Sequence, residues 1–223
     1  MSHICGCLGR LLAVAFVVLL ASIICLAGKH FVMPVPQSAK SYPAHDEHGN
    51  EAVTLGLDPY DMADKANIFS GHYSDSGFMP IFVVLTNDGD QPVSLAGMKA
   101  QLITVDRTKI PPATEDDMYR RFTRPPSGNI SPSPLPWPRK SKGGVNKDLM
   151  EEIQNAQFAA RAVEPHSTQA GFMFFDVSGI STPLAGARFY LTGVRNAKGN
   201  ELMYFEVALE KYLSAPVKPP IAS

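Results

Sequence analysis

Four consecutive side chains, His45-Asp46-Glu47-His48, are capable of binding a metal ion. They fall in a polar, proline-containing stretch where no rigid surroundings would hold ligand geometry, so no metal site is expected there. His72 and His166 are isolated and read as turn or surface residues. Met79, Met98, Met173 and Met203 fall on strand-like patterns, which favours core packing over copper ligation. The chain contains no Gly-x-Ser-x-Gly elbow, no His-Glu-x-x-His and no Gly-rich phosphate loop, and no cysteine follows Cys25. No catalytic residue, metal or cofactor is therefore assigned. The expectation is a protein that is not an enzyme.

A different chemistry is offered by residues 124–144, which hold Pro125, Pro126, Pro132, Pro134, Pro136, Pro138 and the single Trp137. An exposed indole between Leu135 and Arg139 would suit a partner-binding loop, and these three residues are the candidate site. A long surface insertion without function is the competing reading. Prolines spaced by two make no Pro-x-x-Pro pair, so a Src-homology-3 type ligand is not supported. Asn129-Ile130-Ser131 fits the N-glycosylation pattern, but Pro132 directly after it disfavours modification.

The elements that must position such a loop are mostly strands. Phe78 to Thr86 is rich in β-branched and aromatic residues and stops at Asn87-Asp88-Gly89-Asp90, a composition suited to a turn. A hairpin is expected to return through Gln91 to Leu95, followed by a strand from Ala100 to Val105. Further strands are expected at Val53 to Leu57, Gln169 to Val177, Ala187 to Val194 and Leu202 to Leu209. The last two are joined by a hairpin through Asn196 to Asn200. Two helices interrupt them. One is capped by Thr114, with Glu115, Asp116 and Asp117 in its first turn and Arg120 and Arg121 near its end. The other starts from Asn146 and aligns Leu149, Ile153 and Ala156 or Ala160. Successive strands without intervening helices point to an antiparallel sandwich rather than a parallel α/β sheet.

Ahead of these elements lies an uncharged apolar run from Leu11 to Ala27, flanked by Arg10 and Lys29. At about 1.5 Å per residue it makes a helix of roughly 25 Å, near the ~30 Å of a bilayer's hydrocarbon core. A retained transmembrane anchor and a cleaved signal helix both fit, since Cys25-Leu26-Ala27 is a passable cleavage site. Bulky Ile24 before Cys25 argues against lipidation. The short leading tail favours a cytoplasmic N-terminus with the domain outside, in the periplasm or at the cell surface. Cysteine confined to the first 25 residues agrees with export.

The expected organisation is a cytoplasmic tail (1–10), a transmembrane or signal helix (11–28), a proline-containing spacer (29–50), a β-sandwich domain (51–213) and a disordered tail (214–223). Basic and acidic residues, 20 and 21, are intermixed, which excludes a basic stripe for nucleic acid. No small-molecule ligand is evident.

The stretch from Phe78 to Val105, with Val83-Val84-Leu85-Thr86-Asn87-Asp88-Gly89-Asp90-Gln91-Pro92-Val93, resembles uncharacterised bacterial exported or membrane-anchored domains with an immunoglobulin-like or telokin-like β-sandwich. Glu164 to Phe172 resembles the segment leading into their late strand. The resemblance implies a mainly β, immunoglobulin-like sandwich with two short inserted helices, and carries no catalytic residues. The function expected is a binding or structural role in the cell envelope, with an envelope protein as partner and the membrane as anchor. A secreted hydrolase with dispersed carboxylates, or a subunit of an envelope complex, are the alternatives.

Overall fold

The expected apolar strand forms at Phe78–Asn87, and every one of its residues is buried. In this computed structural model, which describes residues 30–123, 147–202 and 204–215, that strand is the third of ten and lies at the centre of the molecule. One antiparallel sheet contains, in spatial order, β1 (Ala44–His48), β2 (Val53–Pro59), β3 (Phe78–Asn87) and β8 (Ser167–Asp176). A second antiparallel sheet contains β10 (Phe205–Ala208), β9 (Arg188–Thr192), β5 (Lys99–Ile103) and β6 (Lys109–Ile110). The short strands β4 (Val93–Ser94) and β7 (Ala162–Val163) pair separately. Four short helices complete the described residues: α1 (Ala63–Ala66), α2 (Glu115–Thr123), α3 (Lys147–Ala156) and α4 (Glu210–Leu213).

Strand periodicity explains why β3 is apolar from Phe78 to Leu85. Side chains alternate between faces, so a strand covered on both sides has no polar position to spare. Met79, Ile81, Val83 and Leu85 join Val53, Leu55 and Leu57 of β2 on the inner face, where they meet Leu102, Phe189, Leu191, Phe205 and Val207 of the second sheet. The other set, Phe78, Phe82 and Val84, joins Phe172 and Phe174 of β8 on the outer face. There it meets Phe69, Tyr73, Met118 of α2, and Ile153 and Ala156 of α3. Pro80 is tolerated in this central strand because of where it falls in the ladder. Its register partner Phe174 turns its carbonyl outward to the Ala113 N–H (2.7 Å), while the Pro80 carbonyl accepts the Tyr60 N–H (2.9 Å).

Both expected helices form. Thr114 Oγ1 accepts the Asp117 N–H (3.2 Å) and Asp117 Oδ2 accepts the Thr114 N–H (3.2 Å), a reciprocal cap at the start of α2. In α3, Ile153 and Ala156 are buried and Leu149 packs beside them, whereas Ala160 lies past the helix and packs against the inner cluster. The single turns α1 and α4 are too short to show periodicity in sequence. The hairpin between β9 and β10 also forms, with Asn196 Oδ1 accepting the N–H groups of Lys198 and Asn200 (both 3.0 Å).

Two expectations are corrected. The chain after Asn87 does not return along β3, because β2 and β8 already occupy both of its edges; β4 pairs with β7 instead. Asn87 fixes that departure by donating from Nδ2 to Gln91 O (2.8 Å) and Val163 O (3.1 Å) while its Oδ1 accepts the Gly89 N–H (3.0 Å).

The second correction concerns the spacer. Ala44–His48 is an edge strand fully paired with β2, and the residues before it are docked onto the sheet. Ala39 is wholly buried, and its N–H donates to Thr86 Oγ1 (2.9 Å). Gly56 makes room for this, since a Cβ there would stand 2.6 Å from the Ala39 carbonyl oxygen. Phe31 and Met33 pack against the outer cluster. A polar edge strand shows no apolar alternation, which is why its sequence reads as a linker.

The run Leu11 to Ala27 and the proline loop with Leu135, Trp137 and Arg139 lie outside the described residues. Among those described, no helix is long and apolar enough to cross a membrane.

Candidate binding site

The polar residues singled out from the sequence are drawn into structural bonds. Along β1 the period of two puts His45 and Glu47 on one side and Asp46 and His48 on the other, so the four cannot converge on one ion. His45 Nδ1 donates to Tyr42 O (2.6 Å), and Glu47 pairs with Lys40 (2.7 Å). Asp46 Oδ2 accepts the Glu206 N–H of β10 (2.9 Å), while the His48 ring stacks on Phe205 at 4.0 Å and 16°. These contacts join the edges of the two sheets. Among the described residues no three His, Cys, Asp or Glu side chains group as metal ligands.

His72 is exposed beside Asp75 (3.9 Å), and His166 sits in a turn with φ 52°, its Nε2 3.0 Å from Asp90. Met79 and Met173 are buried and Met98 packs against the inner cluster, as core residues do; Met203 lies outside the described residues.

Where β2 ends, β3 begins and β8 ends, the chain leaves a pocket of about 430 Å³. Its walls include Tyr60, Asp61, Met79, Thr182, Leu184 and Leu213. Loop 177–187 and helix α4 bring the last three, more than a hundred residues away in sequence from the first three. Tyr60 is held by edge-on packing against Phe172, 4.9 Å and 90°. Leu213, half exposed, forms a free apolar rim.

Beside this pocket, and joined to it through Asp61, lies a polar network organised around Lys65. Its ammonium pairs with Asp58, donates to Pro59 O (3.3 Å) and Tyr212 Oη (3.2 Å), and lies 4.5 Å from the centre of the Tyr212 ring. Tyr212 in turn donates to Asp61 Oδ1 (2.7 Å). Burial, with Asp61 beside it, pushes the Tyr212 phenol above its ordinary range, so it stays a donor at physiological pH. Burial also raises the Asp58 carboxyl in spite of Lys65. Lys65 is thus committed to a carboxylate, a carbonyl and a ring. Asp61, with one oxygen bonded to Tyr212, retains acceptor capacity on the pocket wall.

A second hollow of about 280 Å³ lies on the other side of Phe78, between Pro112, Asp117, Arg120, Arg121 and Asp176. Its central guanidinium is used internally. Arg121 pairs with Asp176, donates to Ser178 Oγ (2.7 Å) and Ser76 O (3.4 Å), and lies 5.3 Å from the Phe78 ring centre. A third buried group, Glu152 of α3, is only 3 % exposed. It accepts from Ser70 N–H (2.6 Å), Ser70 O–H (2.6 Å) and Gly71 N–H (3.1 Å), pinning residues 70–71 to the helix. Nearby, the Tyr73 hydroxyl has no hydrogen-bond partner among the described residues, and burial, then the Glu152 carboxylate, hold its pKa above the phenol range.

None of Tyr60, Asp61, Lys65, Tyr212 or Glu152 carried a local signal, since each acts through partners distant in sequence. No protein-family model matches the chain, and none of the curated proteins does.

Proposed function

We propose that this chain is a membrane-tethered extracytoplasmic β-sandwich of immunoglobulin-like type, with a binding role in the cell envelope exerted at the Tyr60–Leu213 pocket. Support for the sandwich comes from two antiparallel sheets sharing one apolar cluster. Support for the tether comes from the uncharged run Leu11 to Ala27. The single observation carrying the binding role is a pocket whose apolar wall, Met79, Leu184 and Leu213, faces one oriented carboxylate, Asp61. Such a pocket suits a segment of an envelope protein that brings an apolar side chain next to a hydrogen-bond donor. Hydrolysis by a carboxylate pair would need a second acid across from Asp61, and among the described residues lining this pocket Asp61 is the one acid.

The test places a photo-crosslinking side chain at Thr182, at Leu213 and, as a remote control, at Lys198 on the β9–β10 hairpin, in native membranes. A discrete adduct is expected from 182 and 213, lost when Asp61→Asn is combined with the crosslinker at 182. Equal labelling from 198, or none from either pocket position, overturns the site. External protease applied to sealed vesicles should digest the domain; digestion only after lysis reverses the orientation.

A further inference from the structure

We propose that the pocket between Tyr60 and Leu213 takes a cationic side chain, so that the protein segment it binds carries a Lys or Arg next to an apolar residue. This rests on the pocket being the site of binding, and it adds the sign of the charge that the ligand brings.

The first observation is the balance of charge. In the network beside the pocket two carboxylates, Asp58 and Asp61, stand against one ammonium, that of Lys65. Lys65 forms its ion pair with Asp58. Asp61 receives instead the neutral hydroxyl of Tyr212 at 2.7 Å, and among the described residues it forms no ion pair. Lys211, the other cation of this corner, donates to His45 O (3.2 Å). One negative charge is left uncompensated, and it stands on the pocket wall.

The second observation is what surrounds that charge. Among the described residues lining the pocket Asp61 is the one charged side chain; Ser74, Ser181 and Thr182 add hydroxyls, and most of the remaining wall is apolar. An anionic ligand would meet like charge there. A neutral amide or hydroxyl could bond to Asp61, but a charged donor makes the stronger bond to a carboxylate. A Lys or Arg side chain brings that charge on an apolar stem, which matches a wall that a bare metal ion would leave unused. The third observation is that the acceptor is already oriented. Tyr212, which holds one oxygen of Asp61, is itself held by Lys65 through its hydroxyl (3.2 Å) and its ring (4.5 Å to the centre), so less order has to be imposed on binding. The volume, about 430 Å³, lies within the range of pockets that enclose small ligands.

The test titrates the full chain, isotope-labelled at methyl groups and held in lipid nanodiscs, with acetyl-Leu-Lys-Leu-amide and with its Gln and Glu counterparts, read by NMR. The Lys peptide should shift the methyl signals of Met79, Thr182 and Leu213 saturably and leave that of Ala197, on the β9–β10 hairpin, unmoved. Because Asp61 is exposed to water, the Lys peptide should bind about three- to fivefold tighter than the Gln peptide. The Glu peptide should bind weakest. Asp61→Asn should bring the Lys peptide down to the affinity of the Gln peptide, whereas Leu213→Ser should weaken all three alike; an unchanged Ala197 signal in each variant shows that the fold is intact. If the three peptides bind equally, or the Glu peptide binds best, the cationic ligand is wrong and the pocket stands. If no peptide moves the pocket methyls, the pocket and the cation fall together. Pentylammonium binding as tightly as the Lys peptide would assign the pocket to a free amine and overturn the protein segment.

Discussion

On the inner face of the first sheet, alternate residues of β2, β3 and β8 meet the second sheet in a cluster dominated by Val, Leu and Ile. The outer face of the same strands presents Phe78, Phe82, Phe172 and Phe174 to a cover assembled from α2, α3, the stretch around Phe69–Tyr73 and the N-terminal segment. The inner partner is another sheet, whose regular pleat matches that of the first, so area burial alone suffices to hold it. The outer partner is made of short irregular pieces. These are fixed by ring packing and by particular polar bonds: Glu152 to Ser70 and Gly71, Arg121 to Asp176, and Ala39 to Thr86. One strand thus belongs to two cores, one general in its requirements and one specific.

The largest effects should come from truncating the shared sheet. Phe172→Ala on the outer face should cost about 3–5 kcal/mol and Leu102→Ala on the inner about 2–5 kcal/mol. Because β3 is packed by both clusters, both variants should lower one cooperative melt, read by calorimetry. Two separated transitions would instead make the outer cover an independent unit.

Next comes Glu152→Ala, which removes the charged acceptor of the part-buried Ser70 and Gly71 N–H bonds and should cost about 1.5–3 kcal/mol. Hydrogen exchange should accelerate at Ser70 and Gly71 while Leu102 and Phe189 stay protected. Equal acceleration on both faces would break the distinction between them.

Smaller is the acid sensitivity, which the comparison assigns to the outer face. Burial alone would raise the Asp176 carboxyl, but bonds from Ser178 and Arg121 bring it below 3.8. Its stabilising contribution is therefore present above pH 3.8 and is lost as pH falls through the lower folded-state value. Being part-exposed, this ion pair is worth about 1 kcal/mol or less. Asp58 runs the other way: burial, opposed by Lys65, leaves its carboxyl above 3.8, so stability falls as pH rises from 3.8 through the folded value. Melts of Asp176→Asn against pH should lose the acid-side decline that the unsubstituted chain shows, and an unchanged profile would remove Asp176 from the account.

Least of all, Asn196→Ala at the exposed β9–β10 hairpin should cost about 0.5 kcal/mol or less, since the N–H groups of Lys198 and Asn200 can turn to water. A larger loss would mean that the second sheet, too, depends on specific polar bonds.

Local sequence suffices for β2, β3, β5, β8, β9 and β10, because runs such as Ile81-Phe82-Val83-Val84 and the turn at Asn196 to Asn200 state their preference within a few residues. It also determined α2 and α3, through the Thr114 cap and the Leu149, Ile153 and Ala156 stripe. Tertiary structure alone decided that β4 pairs with β7, since only the occupation of both β3 edges forbids the hairpin that Asn87 to Asp90 invites. It decided that His45 to His48 form an edge strand, whose polar sequence is satisfied by β2 on one side and by Glu206 and Phe205 across the corner. It also assembled the pocket, whose Asp61–Tyr212 bond closes across the whole domain. Local preferences are set by each residue's own backbone and near neighbours, whereas an edge partner or a buried carboxylate's donors come from chain that folding must first bring near.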